Sequence, residues 1–94
     1  MAVEVQIPVA LAKFAGNQES LTLSGDSVRE ALDNLTKTYP TLKAHLFNEK
    51  GELRHFVNIY VNDQDIRHGE QMKTPLKSGD VVIIVPSIAG GSND

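Results

Sequence analysis

Apolar and polar residues alternate with period two along Val3-Glu4-Val5-Gln6-Ile7-Pro8, which predicts a strand with one buried face and Pro8 at its end. Ala15-Gly16-Asn17-Gln18 is turn material, and Ser20-Leu21-Thr22-Leu23 alternates again. Two short strands around a turn-rich connection predict an antiparallel hairpin. At Ser27 the period changes. Ser27 with Glu30 three residues on is the capping-box pattern, and Val28, Ala31, Leu32, Leu35 and Tyr39 follow at helical spacing on one face. Pro40 lacks an N–H and restricts Tyr39, so the helix is expected to stop there. Thr41 to Phe47 predicts a short second helix, and Asn48-Glu49-Lys50-Gly51 a turn.

His55-Phe56-Val57-Asn58-Ile59-Tyr60-Val61 is rich in β-branched and aromatic residues and reads as a strand bounded by Asn62-Asp63. Residues 64–77 read as irregular, punctuated by Gly69 and Pro75. After a turn at Lys77-Ser78-Gly79-Asp80, Val81-Val82-Ile83-Ile84-Val85 is an uninterrupted apolar strand ended by Pro86. The order strand, strand, helix, strand, strand predicts an α+β domain: a mixed four- to five-stranded sheet with one main helix packed on one face. Residues 1–86 form the expected domain, and residues 87–94 a flexible C-terminal tail. A helix on one side leaves the other sheet face open, and a last strand apolar on both faces reads either as a central strand of the sheet or as one whose open face docks a partner.

The composition adds mainly exclusions. At 94 residues the chain has room for one domain. The absence of cysteine removes disulfides, thiolate metal sites and a thiol nucleophile. A net charge of −3 lacks the basic footprint of a nucleic-acid binder. No apolar run reaches the roughly 18–20 residues of a membrane span, and the first residues lack the pattern of a signal peptide, so a cytoplasmic setting is expected.

Catalytic constellations are missing as well. His45, His55 and His68 have no paired-ligand spacing. Gly90-Gly91 lacks the strand–loop–helix context of a phosphate loop, and Asp63 and Asp65 lack the remainder of a calcium loop. Lys50, Arg54 and His55 make a short basic cluster that reads as a solvated face or as a dock for an acidic partner. No metal, cofactor or enzymatic activity of its own is expected. What stands out is the end of the chain, where a diglycine follows five residues after a strong final strand.

On that feature the chain resembles the ubiquitin-like β-grasp sulfur carriers of the ThiS/MoaD class, most of all the CysO-type carriers of cysteine synthesis. The likeness runs from Val3 to Gly91. It rests on Phe56-Val57-Asn58-Ile59-Tyr60-Val61-Asn62-Asp63-Gln64-Asp65-Ile66-Arg67, on Leu76-Lys77-Ser78-Gly79-Asp80, and on Ile84-Val85-Pro86-Ser87-Ile88-Ala89-Gly90-Gly91.

The resemblance implies that an E1-like enzyme of the ThiF/MoeB type spends ATP to adenylate the carboxylate of Gly91. Sulfur then displaces AMP to leave a thiocarboxylate, and a pyridoxal-phosphate-dependent synthase making a sulfur amino acid would receive the sulfur. Ser87, Ile88, Ala89 and Gly90 would form the arm, roughly 17 Å long when extended to Gly91. By the same analogy Val85, and Ile83 through the period of two, would face the activating enzyme, with Val82 and Ile84 facing the helix.

Ser92-Asn93-Asp94 depart from the family pattern, since they keep the Gly91 carbonyl in an amide. Three readings stay open: a pro-segment cut between Gly91 and Ser92 by a JAMM-type zinc metalloprotease, a segment foreign to the natural chain, or a copy that is never activated and only binds. Two other outlets stay open beside sulfur delivery. One is a protein modifier joined to lysine through Gly91, and the other is the small subunit of a molybdopterin-synthase-like complex.

Overall fold

The computed structural model describes residues 2–86. Five strands form one sheet: β1 (Ala2–Gln6), β2 (Ser20–Ser24), β3 (Val57–Val61), β4 (Gln64–Asp65) and β5 (Val81–Pro86), in the order β2-β1-β5-β3-β4. The expected hairpin forms, with β1 and β2 antiparallel and Val3 opposite Leu23. β5 lies parallel to β1, with Gln6 opposite Ile83, and antiparallel to β3, with Val57 opposite Pro86. The C-terminal strand is therefore the middle of the sheet, which explains why it is apolar on both faces.

The connection between β1 and β2 is not a plain turn. Pro8 caps a short helix, α1 (Val9–Ala12), which runs into a 3-10 turn over Lys13–Ala15. Four residues are too few to leave a periodic signature. Ala12 and Ala15 are buried, so this loop adds to the core.

The main helix, α2 (Val28–Thr38), starts where the capping pattern places it. Ser27 Oγ accepts from the Glu30 N–H at 3.2 Å. The Glu30 carboxylate accepts from the Asp26 N–H at 2.8 Å, one residue before the N-cap. The following helix, α3 (Pro40–Leu46), begins on Pro40 itself rather than on Thr41. A proline is well suited to the first helical position, where its missing N–H has no partner to lose. Proline thus ends one helix and starts the next, and Tyr39 leaves the helical path with φ −126°.

Both helices lie on one face of the sheet. Val28, Leu32 and Leu35 of α2 and Leu42 and Leu46 of α3 are buried together with Val3, Val5, Val57, Ile59, Val82 and Ile84. The fold is the α+β β-grasp arrangement, with α3 contributing two core leucines beside the main helix.

Two readings need correction. The third strand begins at Val57, not His55, because the Val57 N–H closes a turn onto the Arg54 carbonyl at 3.0 Å. Residues 64–77 are also more ordered than their pattern suggests. Asn62 and Asp63, both with positive φ, make a two-residue hairpin turn into β4. Short 3-10 turns follow at Ile66–His68 and Gln71–Lys73. Thr74 and Leu76 then bond Val28 and Asp26, pinning the start of α2.

Candidate functional site

The site is built on β5. Alternation along this strand buries Val82 and Ile84, leaves Ile83 half-buried, and leaves Val85 36% exposed. The pleat sends successive side chains to opposite faces, so Ile83 and Val85 stand on the face away from the helices. Their register partners on β3 are Tyr60 and Asn58, both half-buried. On the other side Gln6 is opposite Ile83, and its amide donates to the Glu4 carboxylate at 2.9 Å. The open face is thus an apolar stripe along β5 with a polar border. The border side chains Asn58 and Tyr60 were not assigned a face by their sequence pattern, because that strand is apolar or aromatic at nearly every position.

Both ends of β5 are anchored. At its start, the Asn62 side chain donates to Asp80 Oδ1 at 2.9 Å and accepts from the Val81 N–H at 3.0 Å. Asp80 Oδ2 accepts from the Lys77 N–H at 2.8 Å. This backbone hydrogen bond, then that from Asn62, holds the Asp80 carboxyl below the ordinary carboxylate range.

At the far end, Pro86 pairs with Val57, and Arg67 secures that segment of β3. Its guanidinium donates to the carbonyls of His55, at 2.8 Å, and Val57, at 3.2 Å. In the sequence Arg67 stands out only as the last residue of the family-like string that begins at Phe56. Its role at the root of the tail depends on a 10-residue separation that no local pattern reveals.

The expected tail residues Ser87, Ile88, Ala89, Gly90 and Gly91, and the expected cleavage point between Gly91 and Ser92, lie outside the described residues. Asn93 and Asp94 lie outside them too. The basic trio Lys50, Arg54 and His55 falls on the segment that leads into β3. There Arg54 Nε donates to the Ala44 carbonyl at 2.8 Å. His45 stacks on Phe14, ring centres 4.2 Å apart, which is a packing role. Among the described residues no group of three or more His, Cys, Asp or Glu side chains forms that could hold a metal ion, and no helix is long and apolar enough to cross a membrane.

Comparison with known proteins points in one direction. The profile of the ThiS family matches residues 5–91. The sulfur carrier protein CysO of Mycobacterium tuberculosis is 39% identical over 93 residues, covering 97% of this chain and 100% of the relative. Among solved structures, the Amycolatopsis orientalis BexX/CysO complex holds a chain with a TM-score of 0.86 and 36% identity, covering 95% of this chain and 99% of that one. The small archaeal modifier protein 1 of Methanosarcina acetivorans gives a TM-score of 0.84 and 38% identity, covering 96% of each chain.

Proposed function

Because the chain belongs to the ThiS family, we propose that Gly91 is the atom-bearing end of a sulfur delivery arm, exposed by removal of Ser92-Asn93-Asp94. The protein is a sulfur carrier and not an enzyme. It works as a co-substrate of an E1-like activating partner and a sulfur-accepting enzyme.

The observation that carries the residue assignment is the coincidence of two boundaries. The family match ends on Gly91, and the central strand ends at Pro86, five residues earlier. Glycines at positions 90 and 91 add no side chain to the arm and allow strained backbone angles in a narrow channel.

The chemistry follows in three steps. Hydrolysis of the Gly91–Ser92 peptide bond, assigned to a JAMM-type zinc metalloprotease, gives a carboxylate on Gly91 and a free amine on Ser92. In a ThiF/MoeB-type enzyme, a carboxylate oxygen attacks the α-phosphorus of ATP, pyrophosphate leaves, and an acyl adenylate forms. Hydrosulfide then attacks the acyl carbon through sulfur and expels AMP, and loss of the sulfur-bound proton leaves the thiocarboxylate. A free carboxylate is a poor electrophile, so the anhydride has to come first. The partners supply the catalytic groups, including the metal of the protease. Ile83 and Val85 dock the carrier on the activating enzyme, and a pyridoxal-phosphate-dependent synthase making cysteine or a related sulfur amino acid consumes the product.

Intact-mass spectrometry tests the sequence of events. Incubation with the protease is expected to remove Ser92-Asn93-Asp94. Activation with ATP and a sulfur donor is then expected to add the mass difference of one oxygen-to-sulfur exchange. A chain that stays whole in extract of the source cells overturns the processing step.

The likeness to an archaeal modifier favours a second reading, in which a lysine amine of a target protein attacks the Gly91 adenylate. Peptides from cellular proteins carrying a Gly91 isopeptide would establish it.

A further inference from the structure

Three large apolar side chains are exposed among the described residues: Val9 at 74%, Phe56 at 48% and Val85 at 36%. They are far apart in sequence, yet the strand pairing brings all three to one end of the sheet. Val85 and Phe56 each stand one residue from the Val57–Pro86 pair. β1 runs parallel to β5 with Gln6 opposite Ile83, so the chain leaving β1 reaches Val9 at the end where β5 reaches Val85. β5 ends here, at Pro86.

Single exposed apolar residues need no explanation, but three at the same end of one sheet do. Packing does not require them, because the core is closed by other residues of the same segments: Ile7 and Ala12 around Val9, Val57 beside Phe56, Ile84 beside Val85. Any protein that takes the residues after Pro86 into a channel must press its channel mouth against this end.

We propose that Val9, Phe56 and Val85 form an apolar collar around the root of the tail, and that the collar seats the mouth of the channel in the activating enzyme. The proposal rests on the sulfur-carrier reading and extends its docking surface beyond β5, to α1 and to the turn before β3. The mouth that fits is apolar at its centre. On the Phe56 side the collar is flanked by Arg54 and Arg67, whose guanidinium groups are fixed by backbone carbonyls. Neither lies within 4.0 Å of a carboxylate among the described residues. Held cations with no carboxylate beside them among the described residues call for acidic groups on that side of the mouth.

The test uses the chain ending at Gly91 as substrate of the ThiF/MoeB-type enzyme, followed by exchange of pyrophosphate into ATP. Val9→Ser and Phe56→Ser are each expected to raise KM for the carrier about fivefold, and the double variant more than tenfold, with kcat at saturation unchanged. Lys37→Ser, on the exposed side of α2, is the control expected to leave both constants alone. Circular dichroism melts confirm the fold of each variant. If Phe56→Ser melts early, Phe56→Leu replaces it and is expected to raise KM about twofold.

Val85→Asp separates the two readings. If it raises KM while the double variant does not, the collar is overturned and docking through β5 stands. If none of the three variants changes KM, the docking surface falls with it. A loss confined to kcat also overturns the collar, because docking acts through KM. Unchanged KM across a salt titration overturns the acidic flank.

Discussion

The Asn62 side chain donates from Nδ2 to Asp80 Oδ1 at 2.9 Å, tying the end of β3 to the residue before β5. Asn62 has a φ of 48°, a left-handed conformation that asparagine tolerates better than most residues. One residue therefore turns the chain toward β4 and fixes where the central strand begins.

This tie makes part of the stability depend on pH. The native Asp80 carboxyl is held below its ordinary value of 3.8, chiefly by the Lys77 backbone N–H and then by Asn62. A depressed native value means that the stabilisation is complete above the ordinary carboxylate range. It is lost as pH falls from about 3.8 through the lower native value. Urea melts from pH 2 to 7 are expected to show a shallower acid limb for Asp80→Asn than for the parent. Parallel limbs would remove Asp80 from the account of acid stability.

The start of α2 offers a contrast between a lost bond and a clash. Ser27→Ala removes the acceptor of the Glu30 N–H and is expected to cost about 1 kcal/mol. Gly25→Ala would place a Cβ 2.8 Å from the Ala31 backbone nitrogen, where no flexible side chain can yield. The overpacking is expected to cost about 1–3 kcal/mol. Paired chemical denaturation curves read both effects, and the glycine variant is expected to be the less stable.

Along β5 the two faces are expected to respond differently. Ile84→Ala opens a cavity in the core and is expected to cost about 2–5 kcal/mol. Val85→Asp is expected to keep the fold, because the side chain stands on the open face, and to raise KM of the activating enzyme roughly tenfold, about 1.4 kcal/mol of binding. A melted Val85→Asp domain would overturn this assignment of faces.

The ends of two chain forms are expected to differ in competence. A chain ending at Gly91 is expected to support pyrophosphate exchange without any protease. The 94-residue chain is expected to do so only after cleavage, since it presents no carboxylate on Gly91. Equal exchange by both forms would place the activated group elsewhere.

How far the sequence reveals this architecture depends on range. Period-two alternation identified β1 and β2, whereas Val81 to Val85 is apolar at every position and the assignment of its two faces came from the family likeness. Ser27 and Pro40 marked the helix junctions through local chemistry of capping and of a missing N–H. Elements shorter than a periodic window were not legible: α1 has four residues and β4 two. The Asn62-Asp63 pair did carry a usable signal, since both residues accept positive φ, as a two-residue hairpin requires. The diglycine and the apolar final strand were visible in the chain. The gathering of Val9, Phe56 and Val85 at one end was not, because it depends on β1 and β3 both pairing with β5.

The central place of β5 also bears on the order of synthesis. Its residues are translated after those of every other strand, yet β1 and β3 have no contact in the sheet except through it. A nascent chain that stops before Val81 cannot close its sheet, so the body matures only when β5 itself has been made. A partner that selects for the finished sheet therefore discriminates against chains broken off before the central strand is complete.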